Sequence, residues 1–260
     1  MLVNGDMSVT RVDGRDARAL RQVTFTRDFV RSSPGAVFIE WGRTRVLCTV
    51  AQEARVPPFL VGKGSGWLTA EYNMLPGASP QRVARESSTG RVNSRTREIQ
   101  RLIGRSLRAV VDVAALGERT VYVDCDVIEA DGGTRTAAIT GAYVALVDAV
   151  RRWRADRLLP ADPLLDSLAA VSVGIVDDQV LLDLCYTEDA RAETDMNVVM
   201  TGRGGIVELQ GTAEGRPFSR LQVEQMLDVA EGGIAALLRA QSDVLQGVVC
   251  TGERSSGEKP

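Results

Sequence analysis

Alternating apolar and polar positions predict several β-strands in the first half of the chain. Residues 36–40 and 45–53 are rich in β-branched side chains, and Trp41-Gly42-Arg43-Thr44 joins them, which predicts a β-hairpin. A short strand is predicted over 67–72. From 121 to 128, Val and Cys alternate with Tyr, Asp and Ile, and this period of two predicts a further strand.

The period changes to that of an α-helix in two places. One apolar stripe runs from Thr96 to Ala115, and Gly117 is expected to end this first long helix (Ile99, Leu102, Ile103, Leu107, Val110, Val111 and Ala114 form the stripe). A second long helix is predicted to follow Asp131-Gly132-Gly133-Thr134-Arg135-Thr136 and to continue through about Arg154.

The second half repeats the order of strands followed by a helix. Hairpins are predicted over 168–185 and 196–211, and Ser219 with Gln222 forms a capping box that starts a final helix. The fold class is therefore expected to be α+β, with mixed sheets packed against helices. We expect a single domain over 21–247, with halves at about 21–155 and 167–247.

The two ends of the chain are polar. Residues 1–20 are expected to form a loosely held arm, and residues 248–260 a disordered tail. Mixed charge near the N-terminus argues against a signal peptide, and no apolar run approaches the ~18–20 residues that a membrane span needs. We therefore expect a cytoplasmic protein with no membrane partner.

Composition excludes several kinds of chemistry. The chain has no histidine, which removes Ser-His-Asp and Cys-His catalysis and every His-ligated metal site. Its four cysteines stand singly, so they predict small buried side chains rather than a zinc or redox motif. Any catalysis must use carboxylates, Arg, Lys, Tyr, hydroxyls, thiols, backbone amides or a hard metal ion.

Charge is unevenly distributed along the chain. Residues 1–150 carry 20 basic and 16 acidic side chains, whereas residues 151–260 carry 11 and 18. Of the 31 basic residues 29 are Arg, the side chain that binds phosphate in a bidentate manner, although a bias in the coding sequence would give the same excess. A basic half beside an acidic half suits a polyanion held against a metal site.

Two places could bind phosphate. Gly132-Gly133-Thr134-Arg135 lies between a predicted strand and a predicted helix, where glycines and free helix N–H groups can approach an anion. A tight strand-to-helix turn is the alternative explanation. Arg95 stands at the start of the first long helix, also a favourable place for an anion.

Further arginines and a group of acids have two explanations each. The stretch 76–97 has no apolar period and contains five Arg, which indicates a functional or a disordered loop. Four arginines share one face of the first helix, either as a solvated or subunit-facing surface or as an RNA contact (Arg97, Arg101, Arg105 and Arg108). Four acids crowd one loop-to-strand segment, either as a Mg²⁺ site or as a solvated loop (Glu188, Asp189, Glu193 and Asp195).

Several runs of the sequence resemble bacterial ribonuclease PH. The resemblance covers roughly residues 11–247, and it is carried by Glu98-Ile99-Gln100-Arg101-Leu102-Ile103-Gly104-Arg105-Ser106-Leu107-Arg108, by residues 124–136, by Ala192-Glu193-Thr194-Asp195-Met196-Asn197-Val198-Val199, and by the shorter runs 66–72 and 47–49. It implies a ribonuclease PH-like fold. It also implies a phosphate-dependent 3′→5′ exoribonuclease, or tRNA nucleotidyltransferase, which trims precursors of tRNA and other structured RNAs and releases nucleoside diphosphates reversibly.

The resemblance also implies site residues and partners. Arg95, Gly133, Thr134 and Arg135 correspond to phosphate-binding residues, Asp189 and Asp195 to the catalytic, Mg²⁺-associated acids, and Arg82 and Arg85 to arginines that hold RNA. Inorganic phosphate would be the co-substrate. A homohexamer, a trimer of dimers, would use the arginine-lined helix and the polar arm as subunit interfaces.

The sequence departs from the family pattern at three positions. Gly77 stands where the family has an RNA-contacting Arg, Pro80 where it has His, and Ser94 where it has Gly. Two other functions are compatible with the sequence. One is a non-catalytic RNA-binding ring subunit, and the other is a metal-dependent hydrolytic nuclease that uses the same acids.

Overall fold

A computed structural model describes residues 11–90 and 93–247 of the chain. The first half forms a five-stranded sheet and three helices. Its elements are β1 (Val23–Arg27), β2 (Gly35–Trp41), β3 (Thr44–Glu53), a 3₁₀ turn (Pro58–Leu60), β4 (Trp67–Met74), α1 (Glu86–Thr89), α2 (Ser94–Arg108), β5 (Thr120–Glu129) and α3 (Thr134–Ala155).

The second half forms a four-stranded antiparallel sheet and two helices. Its elements are β6 (Leu168–Val176), β7 (Gln179–Leu182), α4 (Tyr186–Asp189), β8 (Thr194–Thr201), β9 (Ile206–Ala213) and α5 (Arg220–Leu245). The strand order is β1-β2-β3-β5-β4 in the first sheet, with β4 and β5 parallel, and β7-β6-β8-β9 in the second.

Helix α3 lies between the two halves and is buried along most of its length, which explains why its apolar residues are not confined to one stripe. It packs on β2 and β3 of the first sheet and on β6 of the second. Gln241 of α5 joins the halves further, because its amide donates to the carbonyls of Thr140 in α3 and Leu168 in β6. One apolar core therefore extends through both halves and fixes the loops between them.

The predicted hairpins and the α+β class are confirmed. The register of the first hairpin pairs Trp41 with Thr44, and α5 begins at Ser219 with the predicted capping box to Gln222. Strand β1, whose five residues pair with β2, is not among the predicted strands. Strand β7 ends at Leu182 rather than at 185, because Asp183 adopts a positive φ of 55° and turns the chain toward α4.

The first long helix is shorter than predicted, because α2 ends at Arg108 and not at Gly117. Val110 and Val111 are buried as their apolar pattern requires, but outside the helix. Their segment pairs with residues 163–165, since Asp112 N–H donates to the Pro163 carbonyl and Leu165 N–H to that of Val110. Pairing with a distant segment satisfies the backbone groups that a longer helix would have satisfied.

The polar arm is not loosely held where the structure describes it. Arg11 is 3 % exposed, and its guanidinium donates to both oxygens of Glu188 at 2.7 and 2.8 Å and to the carbonyls of Leu182 and Asp183. Arg15 donates to Asp183. Residues 1–10 and the predicted tail at 248–260, which includes Cys250, lie outside the described residues.

The three cysteines among the described residues, Cys48, Cys125 and Cys185, are buried as the sequence predicts. Among residues 11–90 and 93–247 no helix is both long enough and apolar enough to cross a membrane.

We expect Arg11→Ala to destabilise the protein by about 3–5 kcal/mol at pH 7, because it leaves the Glu188 carboxylate buried without its partner. Burial alone would raise the pKa of Glu188, but hydrogen bonds from Arg11 and the Cys185 backbone outweigh burial and lower it. The native pair therefore stabilises the fold above the unfolded pKa of about 4.3, and this contribution is lost as pH falls through the lower folded pKa.

In Arg11→Ala the same pKa is expected to rise, so the loss of stability should be smaller near pH 4 than at pH 7. Urea unfolding at both pH values measures this difference. The double variant Arg11→Met with Glu188→Gln removes the buried charge and should be less destabilised than the single variant. Equal losses at both pH values would contradict the assigned pairing.

Candidate active site

A cleft of about 510 Å³ opens where the loop before α3 meets α4 and β8 of the second half. It collects residues that lie far apart in the sequence. Six of the residues that line it come from the predicted site: Arg95, Gly133, Thr134, Arg135, Asp189 and Asp195. The fold thus places both proposed phosphate segments and two of the four clustered acids in one cleft.

Gly132 and Gly133 shape the wall of this cleft through their backbone conformation. Both have positive φ, 79° and 66°, which glycine adopts at little cost. A Cβ at Gly132 would lie 2.5 Å from the Leu184 carbonyl oxygen and 2.8 Å from the Cys185 carbonyl carbon. Only glycine therefore lets the loop of the first half approach the 184–186 segment of the second half so closely.

The N-terminus of α3 faces the cleft with unoccupied donors. No described side chain caps this helix at Gly133, so the N–H groups of its first turn remain available for an anion. The hydroxyl of Thr134 accepts a hydrogen bond from Tyr72 at 2.9 Å, which leaves its own proton free to donate. Both features suit phosphate.

Two arginines contribute positive charge from different helices. Arg135 is largely buried, and one of its terminal nitrogens donates to Gln210 at 2.6 Å and to Glu98 at 3.3 Å. These contacts hold the guanidinium toward the cleft and leave its other donors for a ligand. Arg95 is exposed in the first turn of α2, whose N-cap Asn93 accepts the Arg95 N–H.

The four clustered acids separate into two inside the cleft and two outside it. Glu188 is buried against Arg11, and Glu193 accepts from the Asp178 N–H on another part of the surface. Asp189 and Asp195 line the cleft. The interpretation as a solvated acidic loop therefore fails for Glu188.

The pKa of Asp189 is raised, and the causes lie in the cleft. Desolvation contributes most and the neighbouring Asp195 carboxylate contributes next, while the guanidinium groups of Arg95, Arg135 and Arg21 act in the opposite direction. A carboxyl group with a raised pKa holds its proton to a higher pH and can act as a general acid.

Arg82 and Arg85 lie outside this cleft. Arg85 lines a second cleft of about 560 Å³, which shares Met74 and Arg95 with the first, and Arg82 is exposed on the loop between β4 and α1. Pro80 lines the first cleft, at the position where the family has His. A Cβ at Gly77 would meet no described atom within 4 Å, so an Arg side chain could be accommodated there.

The arginines on one face of α2 have separate environments. Arg105 forms an ion pair with Glu208 of β9 at 2.7 Å, and Arg108 stacks over the Trp67 ring and donates to the Leu68 carbonyl. Arg97 and Arg101 are exposed. At least two of the four arginines, Arg105 and Arg108, therefore bind other elements of the same chain.

A buried hub of Arg21, Trp41 and Asp183 lies beneath the glycine loop and was not predicted from the sequence. Asp183 accepts from the Arg21 side chain at 2.6 and 3.0 Å and from Trp41 Nε1 at 2.9 Å, and Arg21 also donates to the Asp131 and Gly132 carbonyls. The hub fixes the glycine loop to both halves. A separation of 162 residues between Arg21 and Asp183 leaves no local pattern that could reveal it.

Comparison with known proteins defines the class to which this fold and cleft belong. Residues 19–151 match domain 1 of the 3′ exoribonuclease family, and residues 166–233 match domain 2. The chain therefore belongs to the 3′ exoribonuclease family.

Solved structures show the same fold. Rice (Oryza sativa) Rrp46 superposes with a TM-score of 0.74 at 18% identity, over 91% of this chain and 100% of the rice chain. A chain of the Archaeoglobus fulgidus exosome with RNA bound to the active site superposes with a TM-score of 0.74 at 23% identity, over 88% of this chain and 91% of the other. The ribonuclease PH-like fold, with two α/β parts and mixed sheets packed against helices, is confirmed.

Proposed function

We propose that this protein is a phosphate-dependent 3′→5′ exoribonuclease of the ribonuclease PH type, which releases nucleoside diphosphates from RNA 3′ ends. The observation that carries the proposal is the convergence of two arginines, a free helix N-terminus and two carboxylates in one cleft. Cations and N–H donors suit two phosphates brought together, and carboxylates suit proton transfer and a divalent cation.

Phosphorolysis is compatible with a chain that lacks histidine. Inorganic phosphate is already an anion at neutral pH, so no strong base is needed to generate the nucleophile. One of its oxygens attacks the terminal phosphodiester phosphorus, and the bond to the 3′ oxygen of the preceding nucleotide breaks. Arg95, Arg135 and the N–H groups at Gly133 and Thr134 would reduce repulsion between the two phosphates and hold the attack in line.

The two acids would have different roles. Asp189, which lines the cleft beside Asp195, would deliver a proton to the leaving 3′ oxygen. Asp195 would hold Mg²⁺, with Asp189 as its neighbour. Mg²⁺ is commonly bound by one or two carboxylates, waters and substrate phosphate, and the cleft is lined by two carboxylates. When bound, Mg²⁺ neutralises developing phosphate charge.

A short single-stranded RNA incubated with and without inorganic phosphate tests the proposal. We expect nucleoside diphosphates that appear only when phosphate is present, and addition of nucleotides when diphosphates are supplied in excess. Monophosphates released without phosphate would identify a hydrolytic nuclease instead. RNA binding without turnover under either condition would identify a non-catalytic ring subunit.

The resemblance to ribonuclease PH supports finer proposals as well. Precursors of tRNA with extra 3′ nucleotides would be cytoplasmic substrates, and the active form would be a homohexamer. Because Arg11 and Arg15 are paired within their own chain, the described part of the arm would reach a partner through other side chains. Sedimentation of the purified protein measures the assembly.

Gly77→Arg should tighten binding of precursor tRNA and steepen its salt dependence by about one unit of log–log slope. The open space at Gly77 admits the side chain, and the new arginine would add one phosphate contact beside Arg82 and Arg85. Phosphorolysis of a very short RNA should be unchanged, since that substrate does not reach the loop. An unchanged slope, together with a silent Arg82→Ala, would show that this loop does not hold RNA.

A further inference from the structure

We propose that Tyr186 is a stacking platform for the nucleobase of the 3′-terminal nucleotide, an inference that rests on the proposed function. Tyr186 is 59 % exposed and lines the same cleft as Asp189 and Asp195. No motif in the sequence gives Tyr186 a role, and the phosphate chemistry above does not use it.

The cleft has an apolar part that phosphate does not explain. Besides its charged and polar residues it is lined by Met74, Pro80, Ala130, Tyr186 and Met196, of which Met196 is only 2 % exposed. Phosphate gains nothing from thioether or aromatic groups, whereas a nucleobase stacks on aromatic rings and packs well against methionine. The cleft therefore offers apolar groups as well as polar ones, and a nucleotide needs both.

Tyr186 is close to the proposed chemistry. Tyr186 and Asp189 are the first and last residues of α4, so they lie three positions apart in a single turn, or about 4.5 Å along the helix axis. A base on the ring and a scissile bond at the carboxylate would thus belong to the same terminal nucleotide.

The backbone that carries the ring is fixed on several sides. The Tyr186 N–H donates to Asp131 at 3.3 Å, and the Cys185 N–H donates to Glu188, which Arg11 holds in turn. The Gly132 backbone packs directly against Tyr186 N. A fixed backbone keeps the ring at the cleft, so less conformational freedom is lost when a base stacks on it.

Stacking on a tyrosine ring carries little base selectivity, because every base presents a π face. The ligand is therefore the terminal nucleobase of any identity, as an enzyme that removes successive nucleotides requires.

The test crosses a Tyr186 substitution with removal of the terminal base. Wild-type protein, Tyr186→Ala and Tyr186→Phe are each given a short RNA with a normal or an abasic 3′-terminal nucleotide. With the normal end we expect Tyr186→Ala to lower kcat/KM by roughly five- to 150-fold. With the abasic end it should equal the wild type. Tyr186→Phe should retain the wild-type ratio of kcat/KM between the normal and the abasic end. The KM for phosphate should not change in either variant.

The control is Phe59→Ala, which removes an aromatic side chain of similar exposure, 57 %, that does not line the cleft. It should leave the ratio between normal and abasic ends as in the wild type. An equal loss for Tyr186→Ala on both RNA ends would overturn the proposal. So would a changed sedimentation coefficient with an unchanged end ratio, because the ring would then cover a protein interface.

RNA binding measured without phosphate separates this inference from the proposed function. If the wild-type protein binds the normal end more tightly than the abasic end, and Tyr186→Ala removes the difference, the platform exists even where no turnover is found. A third outcome is that phosphorolysis occurs but Tyr186→Ala changes neither the binding nor the kcat/KM of the normal end relative to the abasic end. The platform is then refuted and the proposed function is retained.

Discussion

Asp195→Asn is expected to abolish phosphorolysis while the fold is retained. A carboxamide nearly matches the shape of the carboxylate, and the backbone of Asp195 stays paired with Gly174 and Thr212 in the second sheet. It would bind Mg²⁺ poorly, and the loss of charge stabilisation at the reacting phosphates is worth several kcal/mol, or about 10³-fold in rate. Initial rates across a Mg²⁺ titration and thermal unfolding of the same preparation measure the two effects.

Glu193→Gln is the matched control for this variant. Glu193 lies two residues away in the same acidic segment, but its carboxylate accepts from the Asp178 N–H rather than lining the cleft. The control should retain wild-type rates. Retained activity in Asp195→Asn with an unaltered Mg²⁺ requirement would exclude Asp195 as the residue that holds the metal.

Arg95→Ala is expected to lower the rate of phosphorolysis by about 10²–10³-fold and to leave RNA binding largely intact. The reason is that Arg95 would serve the attacking phosphate, and loss of one charge-assisted donor at a developing anion has an effect of this size. Arg95→Lys should recover only part of the rate, since an ammonium group keeps the charge but lacks the planar fork.

Rates over a phosphate titration and RNA binding by fluorescence anisotropy measure the two sides of this prediction. Arg97→Ala is the control, because Arg97 is an exposed arginine two positions further along α2 that does not line the cleft. Near-normal turnover of Arg95→Ala at saturating phosphate would disprove the role of Arg95.

Much of the candidate site could be predicted because its parts have local signatures. The two glycines before Thr134 were predicted from sequence, since a positive φ between a strand and a helix favours glycine. The resemblance then singled out Asp189 and Asp195 among four neighbouring acids. Their position in one cleft with Arg95 and Arg135 comes from the structure, because these residues lie on α2, α3, α4 and β8.

Tertiary contacts also decided what became of residues with the same local character. Glu188 and Asp189 are adjacent acids, but Glu188 is buried against Arg11, 177 residues away, and Asp189 lines the cleft. Two exposed aromatic residues are a similar case. Tyr186 lines the cleft because α4 lies beside it, whereas Phe59 does not line the cleft. Sequence gives the type of such side chains, and packing gives their environment.

The sequence by itself determined the elements of this protein: the first hairpin, the long helices α3 and α5 with the Ser219 cap, and the glycine turn before Thr134. Each depends on the period of neighbouring residues or on a local backbone requirement. Tertiary structure alone decided the end of α2 at Arg108, where pairing with residues 163–165 replaces further helix, and the hub of Arg21 and Asp183. These features depend on hydrogen bonds and charges brought together from distant segments, and such contacts form only once the two halves pack around α3.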